Sequence, residues 1–238
     1  YQRRVDLRTD GATGCEALLR WRHPVRGMVT PADFVPVAEE TGLSEEIGQW
    51  VLRTACAEGA TWPAHVRIAG NVPPIQFPHP DFASSAIRTI EETGFDPERL
   101  ELELTEGVVV EDADAAENGM MKLRALGVNL ALDDFGTGYS SLIYLRRFAF
   151  DKIKIDRSFL ESMEATGESA ILVHSIVHLG RALGLTVAAG GVETREQHRF
   201  LQALGCHQLQ GFLFSKPVPP EGIDLLIGQQ PIQRAVSA

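Results

Sequence analysis

Cysteine is scarce, with 3 in 238 residues at Cys15, Cys56 and Cys206. None belongs to a Cys-x-x-Cys pair, and an odd number cannot close into bridges completely. A disulfide framework is not expected, and a reducing cytosol is the simpler compartment. Any run of about 18 apolar residues is missing too, so no membrane span is expected. Positive charge is in deficit: 22 Lys and Arg face 32 Asp and Glu, for a formal net charge of −10. This balance argues against DNA, RNA or an anionic membrane surface as the main partner. It leaves room for an anionic small molecule if metal ions supply positive charge. There is no signal-peptide pattern and the chain opens on Tyr1, not Met, so a piece of a longer protein is expected. Linkers, low-complexity tracts and composition shifts are absent, which leaves residues 1–238 as one large domain. Apolar residues make up 44% of the chain, enough for a sizeable core.

The most informative stretch is Asn129–Ser141, NLALDDFGTGYSS. A mostly apolar segment runs into the adjacent carboxylates Asp133 and Asp134. A glycine-rich turn follows, and Ser140 and Ser141 stand where they would cap the next helix. Paired acids at the carboxyl end of a buried strand repel each other and lose hydration. A divalent metal is the usual compensation. The plain alternative is a solvated Asp-Asp turn.

The rest of the chain repeats the theme. Tyr1–Leu7 alternates like a short strand, with a turn at Asp10-Gly11. Cys15–Trp21 reads as a strand that places Glu16 and Arg20 on one face, for metal and phosphate respectively or as a surface ion pair. Thr30 caps a helix with Pro31 at its first position and Asp33 at its third. Leu43–Ala60 is amphipathic. Val66–Asn71 is a strand whose terminal asparagine is either a neutral oxygen ligand or a turn residue. Helices are expected over Asp81–Gly94 and Asp114–Leu126, the second closed by Gly127. Leu100–Leu104, LELEL, carries Glu101 and Glu103 on one face; in isolation it reads as half-exposed. In Asp151–Asp156, Lys152, Lys154 and Asp156 face one way. Ser169–Leu183 shows a stripe of Leu172, Ile176, Leu179 and Leu183. His174 and His178, four apart on it, lack a third ligand and make a weak metal site. Leu185–Ala189 is a strand, Glu193–Gly205 a helix and His207–Gln210 a last short strand. Regular alternation of strand and helix gives a closed barrel or a doubly wound sheet. Asn71, Glu103, Asp133, Lys154 and Gln210 close their strands, and only a ring of strands gathers so many ends around one mouth.

These residues fall into ordered motifs: EALLRW, PADFVPVAEETGL, LELTE, LDDFGTGYSSL, KIKIDRSF, GVET and LQGFLFSKP. In this order, from Tyr1-Gln2 to Lys216-Pro217, the chain resembles the EAL family of cyclic-di-GMP phosphodiesterases. The resemblance implies an α/β fold, a modified (β/α)8 TIM barrel with one antiparallel strand. It implies a first metal on Glu16, Asn71, Glu103 and Asp133, with Asp134 binding a second. Lys154 would touch the attacking water, Arg20 and Gln210 the substrate, Glu106 would steady the loop after the acid pair and Glu193 the substrate side. The cofactor would be Mg²⁺ or Mn²⁺, with Ca²⁺ binding but not supporting turnover, and the product linear pGpG. Family habit adds a homodimer, attached sensory or GGDEF-type domains, and a bacterial cytoplasmic location, including within a membrane-tethered protein. Three positions depart from the pattern: Pro73, Gly107 and Gly190. The last replaces a glutamate that in the family is a second-metal ligand, so slow hydrolysis is expected. The alternative is an inactive cyclic-di-GMP receptor.

Overall fold

The first strand, β1 (Gln2–Asp6), runs against both of its neighbours. It pairs with β2 (Ala12–Ala17) through Gln2 opposite Glu16, and with the last strand, β10 (Gln208–Gln210), through Arg4 opposite Gln210. The remaining barrel strands are parallel: β5 (Arg67–Val72), β6 (Leu100–Thr105), β7 (Asn129–Phe135), β8 (Lys152–Ile155) and β9 (Thr186–Ala189). The closed order is β1-β10-β9-β8-β7-β6-β5-β2. The fold is therefore the expected modified (β/α)8 barrel with one antiparallel strand. This computed structural model describes residues 1–9, 11–107, 113–137, 142–162 and 167–228, side chains excepted at 142–144. The expected turn residue Asp10 and the expected caps Ser140 and Ser141 lie outside the described residues.

Strand alternation decides what enters the barrel. Leu100, Leu102 and Leu104 point outward into the core shared with the helices. Glu101 and Glu103 point inward and are 2% and 1% exposed. The half-exposed reading of LELEL is thus overturned: charges from other strands fill the barrel and meet these glutamates. On β8, Ile153 and Ile155 face the helical layer, and Lys152 and Lys154 are buried inside.

The helices are α1 (Pro31–Glu40), α2 (Ser44–Ala60), α3 (Phe82–Thr93), α4 (Ala113–Ala125), α5 (Leu142–Arg147), α6 (Arg157–Glu161), α7 (Gly167–Ala182), α8 (Arg195–Leu204) and α9 (Ile223–Ile227). Thr30 stands at the N-cap of α1 as expected, but its hydroxyl donates to Asp33 Oδ2 at 2.6 Å and accepts nothing from the backbone. The expected stripe on α7 holds in part: Ile176 is buried and Leu179 packs against the core, but Leu172 and Leu183 are exposed, and the buried face is Val173, Ile176, Val177 and Gly180. Gly180 lets the helix approach closely, because a Cβ would come within 2.6 Å of Ile153 Cδ1 and Val187 Cγ2 and force those side chains to shift. The strand expected through Trp21 ends at Ala17; a small hairpin, β3 (Trp21–His23) and β4 (Gly27–Val29), follows. Arg20 therefore leaves the strand face of Glu16. Cys15, Cys56 and Cys206 are free and buried. Among the described residues no helix is long and apolar enough to cross a membrane.

Candidate active site at the carboxyl mouth of the barrel

Glu16, Asn71, Glu103, Asp133, Lys154 and Gln210 come from six different strands and converge at the carboxyl mouth of the barrel, Glu16, Glu103, Lys154 and Gln210 buried and Asn71 and Asp133 toward the rim. Lys154 sits at the centre. Its Nζ donates to Glu103 Oε2 at 2.5 Å and Asp133 Oδ2 at 2.9 Å, and lies 3.7 Å from Glu16 Oε2. Glu16 accepts at both oxygens, 2.7 Å from Asn71 Nδ2 and 2.7 Å from Gln210 Nε2. Gln210 also donates to Gln2 Oε1 at 3.0 Å. Asn71 lies opposite Glu103 in the ladder, which carries Asn71, Glu103 and the Asp133 strand up one wall of the mouth.

Burial by itself would lower the Lys154 ammonium, but the carboxylates of Asp133, Glu103 and Glu16 hold it well above the ordinary lysine value. Burial would raise Glu16; Lys154 and the donated hydrogen bonds of Asn71 and Gln210 bring it below the usual carboxylate range. Glu103 is pushed up to about 8, by burial first and by Glu16 next, with Lys154 opposing. One lysine does not neutralise so many acids. At the rim, burial, then Asp133 and Asp156, push Asp134 up to about 6. Asp134 also holds φ at 53°, a left-handed conformation that is costly for a residue with a side chain.

The outer residues line an open cleft of about 280 Å³. Arg20 is exposed and reaches its wall, with Nη1 donating to the Leu19 carbonyl at 2.7 Å. Glu193 lines the same cleft; its backbone N–H donates to Gln197 Oε1 at 2.8 Å, within the capping box of Thr194 and Gln197 on α8. Glu106 Oε1 accepts from the Gly136 N–H at 3.1 Å and so ties down the start of the loop after the acid pair. Gly190 lines the cleft near Asp134 and Asp156, and its N–H donates to the Ile155 carbonyl at 3.2 Å. A Cβ added there would meet nothing closer than that carbonyl at 3.9 Å. The exposed pair His174 and His178 stands on α7, away from this mouth.

Sequence reasoning gave no role to Gln2, Arg4 or Asp156. Asp156 hydrogen-bonds Asp134 at the rim and accepts from the Ser158 N–H at 3.0 Å, capping α6. The signal for Asp156 was its place after Lys152 and Lys154 in the inward series of β8. The signal for Gln2 and Arg4 was the same alternation on β1.

Among the described residues no three His, Cys, Asp or Glu side chains stand about a common point as a metal cluster, and Lys154 occupies the centre. The donor set nonetheless fits a hard divalent cation. It is all oxygen once Asn71 presents its carbonyl. The raised Glu103 and Asp134 mark a site short of positive charge. Gln210 Oε1 is buried with no hydrogen-bond partner among the described residues.

Fold and site together define a (β/α)8 barrel with an acid-and-lysine centre where barrel enzymes carry their chemistry. The chain belongs to the EAL domain family, whose model matches residues 1–217. It is 44% identical over 225 residues to the bifunctional diguanylate cyclase/cyclic di-GMP phosphodiesterase MucR of Pseudomonas aeruginosa, covering 93% of this chain and 33% of MucR. It is 41% identical over 227 residues to the cyclic di-GMP phosphodiesterase PA2567 of the same organism, covering 94% of this chain and 39% of that protein. The structure of the MucR phosphodiesterase in complex with c-di-GMP superposes with a TM-score of 0.90 at 43% identity, covering 94% and 92% of the two chains. Klebsiella pneumoniae BlrP1, in a manganese and cyclic-di-GMP complex, gives 0.78 at 32% identity over 91% of this chain and 54% of that one. The chain thus spans well under half the length of these two sequence relatives.

Proposed function

We propose that the chain is a metal-dependent cyclic-di-GMP phosphodiesterase domain that opens one phosphodiester to give linear pGpG, slowly because of Gly190. The observation that carries this reading is the ring of Glu16, Asn71, Glu103 and Asp133 around Lys154 at the barrel mouth. Glu16, Asn71, Glu103 and Asp133 would hold a first Mg²⁺ or Mn²⁺, and Asp134 a second. When bound, such ions polarise a phosphate oxygen and lower the pKa of water.

The chain's own residues do the rest. Arg20 supplies a guanidinium to a phosphate, a charge-assisted contact. Gln210 offers its unpartnered Oε1 to a donor of the substrate, and Glu193 borders the same wall. Lys154 orients the attacking water and stabilises the negative charge on the phosphoryl oxygens. Glu106 keeps the loop after Asp133 and Asp134 in place. The domain, residues 1–238, would be one module of a longer cytoplasmic signalling protein, joined to sensory or GGDEF-type domains and paired as a homodimer. A second reading, a receptor that binds cyclic di-GMP without cutting it, is favoured by one specific observation: position 190 carries no carboxylate.

Calorimetry with cyclic di-GMP and Ca²⁺ is expected to show one site per chain. Absence of binding at high micromolar ligand would remove both readings. Arg20→Ala is expected to weaken binding about tenfold. Chromatography for pGpG over hours in Mn²⁺ separates enzyme from receptor.

A further inference from the structure

Beneath the mouth lies a second layer of buried charge that the proposed chemistry leaves unused. Glu101 sits between Arg4, which contacts it through Nη1, and Lys152, whose Nζ donates to Glu101 Oε2 at 2.5 Å. Arg4, Glu101 and Lys152 are each 5% exposed or less. Two strands set this layer by alternation, one step below Glu103 and Lys154, and β1 contributes Arg4 from the opposite direction. The layers are joined at one atom. Arg4 Nη1 also lies 3.4 Å from Glu103 Oε1, while Lys154 takes the other oxygen, Oε2. Glu103 is therefore gripped from below by Arg4 and from above by Lys154. A ligand that draws Lys154 away would leave Arg4 as the group that fixes the carboxylate plane.

We propose that Arg4 is a positioning residue for Glu103: anchored on Glu101, its guanidinium fixes the orientation in which Glu103 is presented to a divalent cation. This rests on the reading of Glu103 as a metal ligand. Outer partners of metal-ligating carboxylates orient them, and their loss costs on the order of 10–100-fold in metal affinity. Charge alone predicts a different result, because removing a cation from beneath the acids favours another cation. Lys152 separates the two effects. It carries the same charge in the same layer and pairs with Glu101, feels Glu103 only through space, and makes no hydrogen bond or ion pair with it.

The test is Mn²⁺ titration of the purified protein, metal alone, by calorimetry. Arg4→Met is expected to weaken Mn²⁺ about tenfold or more, Arg4→Lys to recover most of the loss, and Lys152→Met to stay within about twofold of the parent. Unchanged or tighter Mn²⁺ binding by Arg4→Met overturns the proposal, as does an equal loss in Lys152→Met. Should Arg4→Met not fold, Arg4→Gln takes its place with the same expected loss. A parent protein that binds no Mn²⁺ would remove the metal reading itself. The crystal structures of the parent and the variant soaked in Mn²⁺ then decide the positioning role: Glu103 turned from its parent orientation in the variant supports it, and a Glu103 that overlays the parent's ends it.

Discussion

Lys154 and Glu103 set the electrostatics of the mouth. Glu103 is held up to about 8 and Asp134 up to about 6, so each keeps its proton to a higher pH than an ordinary carboxyl, and a bound divalent ion must displace whatever protons remain. Lower pH fills these carboxyls with protons and opposes the metal. Mn²⁺ affinity is therefore expected to rise with pH up to about 8, most steeply below about pH 6 where both carboxyls hold protons, and to level off above. Calorimetry at several pH values, in buffers of different ionisation enthalpy, measures both the affinity and the protons released; a flat affinity would mean these acids do not meet the ion. Position 190 gives the sharper experiment. The Cβ of a new side chain has room there, 3.9 Å from its nearest neighbour, and it borders the cleft shared with Asp134 and Asp156. Gly190→Glu is expected to raise the rate of pGpG formation by roughly a hundredfold or more, since each ~1.4 kcal/mol of transition-state stabilisation is tenfold. Binding of cyclic di-GMP with Ca²⁺ should change little. Brisk turnover by the Gly190 protein in Mg²⁺, with no gain from the glutamate, would sink the argument for an impaired site.

At the scale of the element, the turn after β9 shows why two adjacent glycines are not equivalent. Gly191 has φ 71°, and a Cβ on it would fall 2.3 Å from Arg157 Cβ at the start of α6. Gly191→Ala is expected to destabilise the protein by about 1–3 kcal/mol, lowering Tm by roughly 2–10 °C in a chain of this size. Gly190→Ala, with open space and an ordinary φ, should stay within about 0.5 kcal/mol. Thermal melts of the two variants make the comparison; equal losses would show that the turn's backbone is not the constraint. The same scale shows which patterns sequence could resolve. The alternation of LELEL correctly grouped Glu101 with Glu103, because the strand period is a local property. Whether that group faced water or a buried partner was not local, and the half-exposed reading failed. The stripe on α7 held at Ile176 and Leu179 and failed at Leu172 and Leu183 for a related reason. Leucine spacing marked a face of the helix, but Gly180, with no apolar side chain to signal it, marks where the helix meets β8 and β9.

The whole molecule depends on β1. This strand closes the barrel by pairing with β2 and β10, and the Val218 N–H donates to the Tyr1 carbonyl at 2.8 Å. Removing residues 1–6 would leave two parallel strands with unpaired edges and Glu101 in the lower layer without Arg4. That deletion is expected to abolish the cooperative thermal transition and to expose apolar surface to a hydrophobic dye. A truncated chain that melts within a few degrees of the parent would show that β1 is an addition to the barrel and not its closure. Closure is also what gathers the strand ends: Asn71, Glu103, Asp133 and Lys154 share one mouth because the sheet has no edge.

The sequence by itself determined the alternation of strand and helix, which residues of LELEL and of the Lys152–Asp156 strand share a face, the family and the set of acids at the strand ends. These follow from periods of two and 3.6 residues and from motifs short enough to read along the chain. Only the tertiary structure decided which charges meet. Arg4 and Glu103 are separated by 99 residues, and Lys154 and Glu103 by 51. A buried ion is stable only where its counter-charge arrives, and its partner is set by strand order and register across the closed barrel. That is why Lys152 and Lys154, two residues apart on one strand and identical in type, hold different glutamates in different layers, one beneath the site and one at its centre.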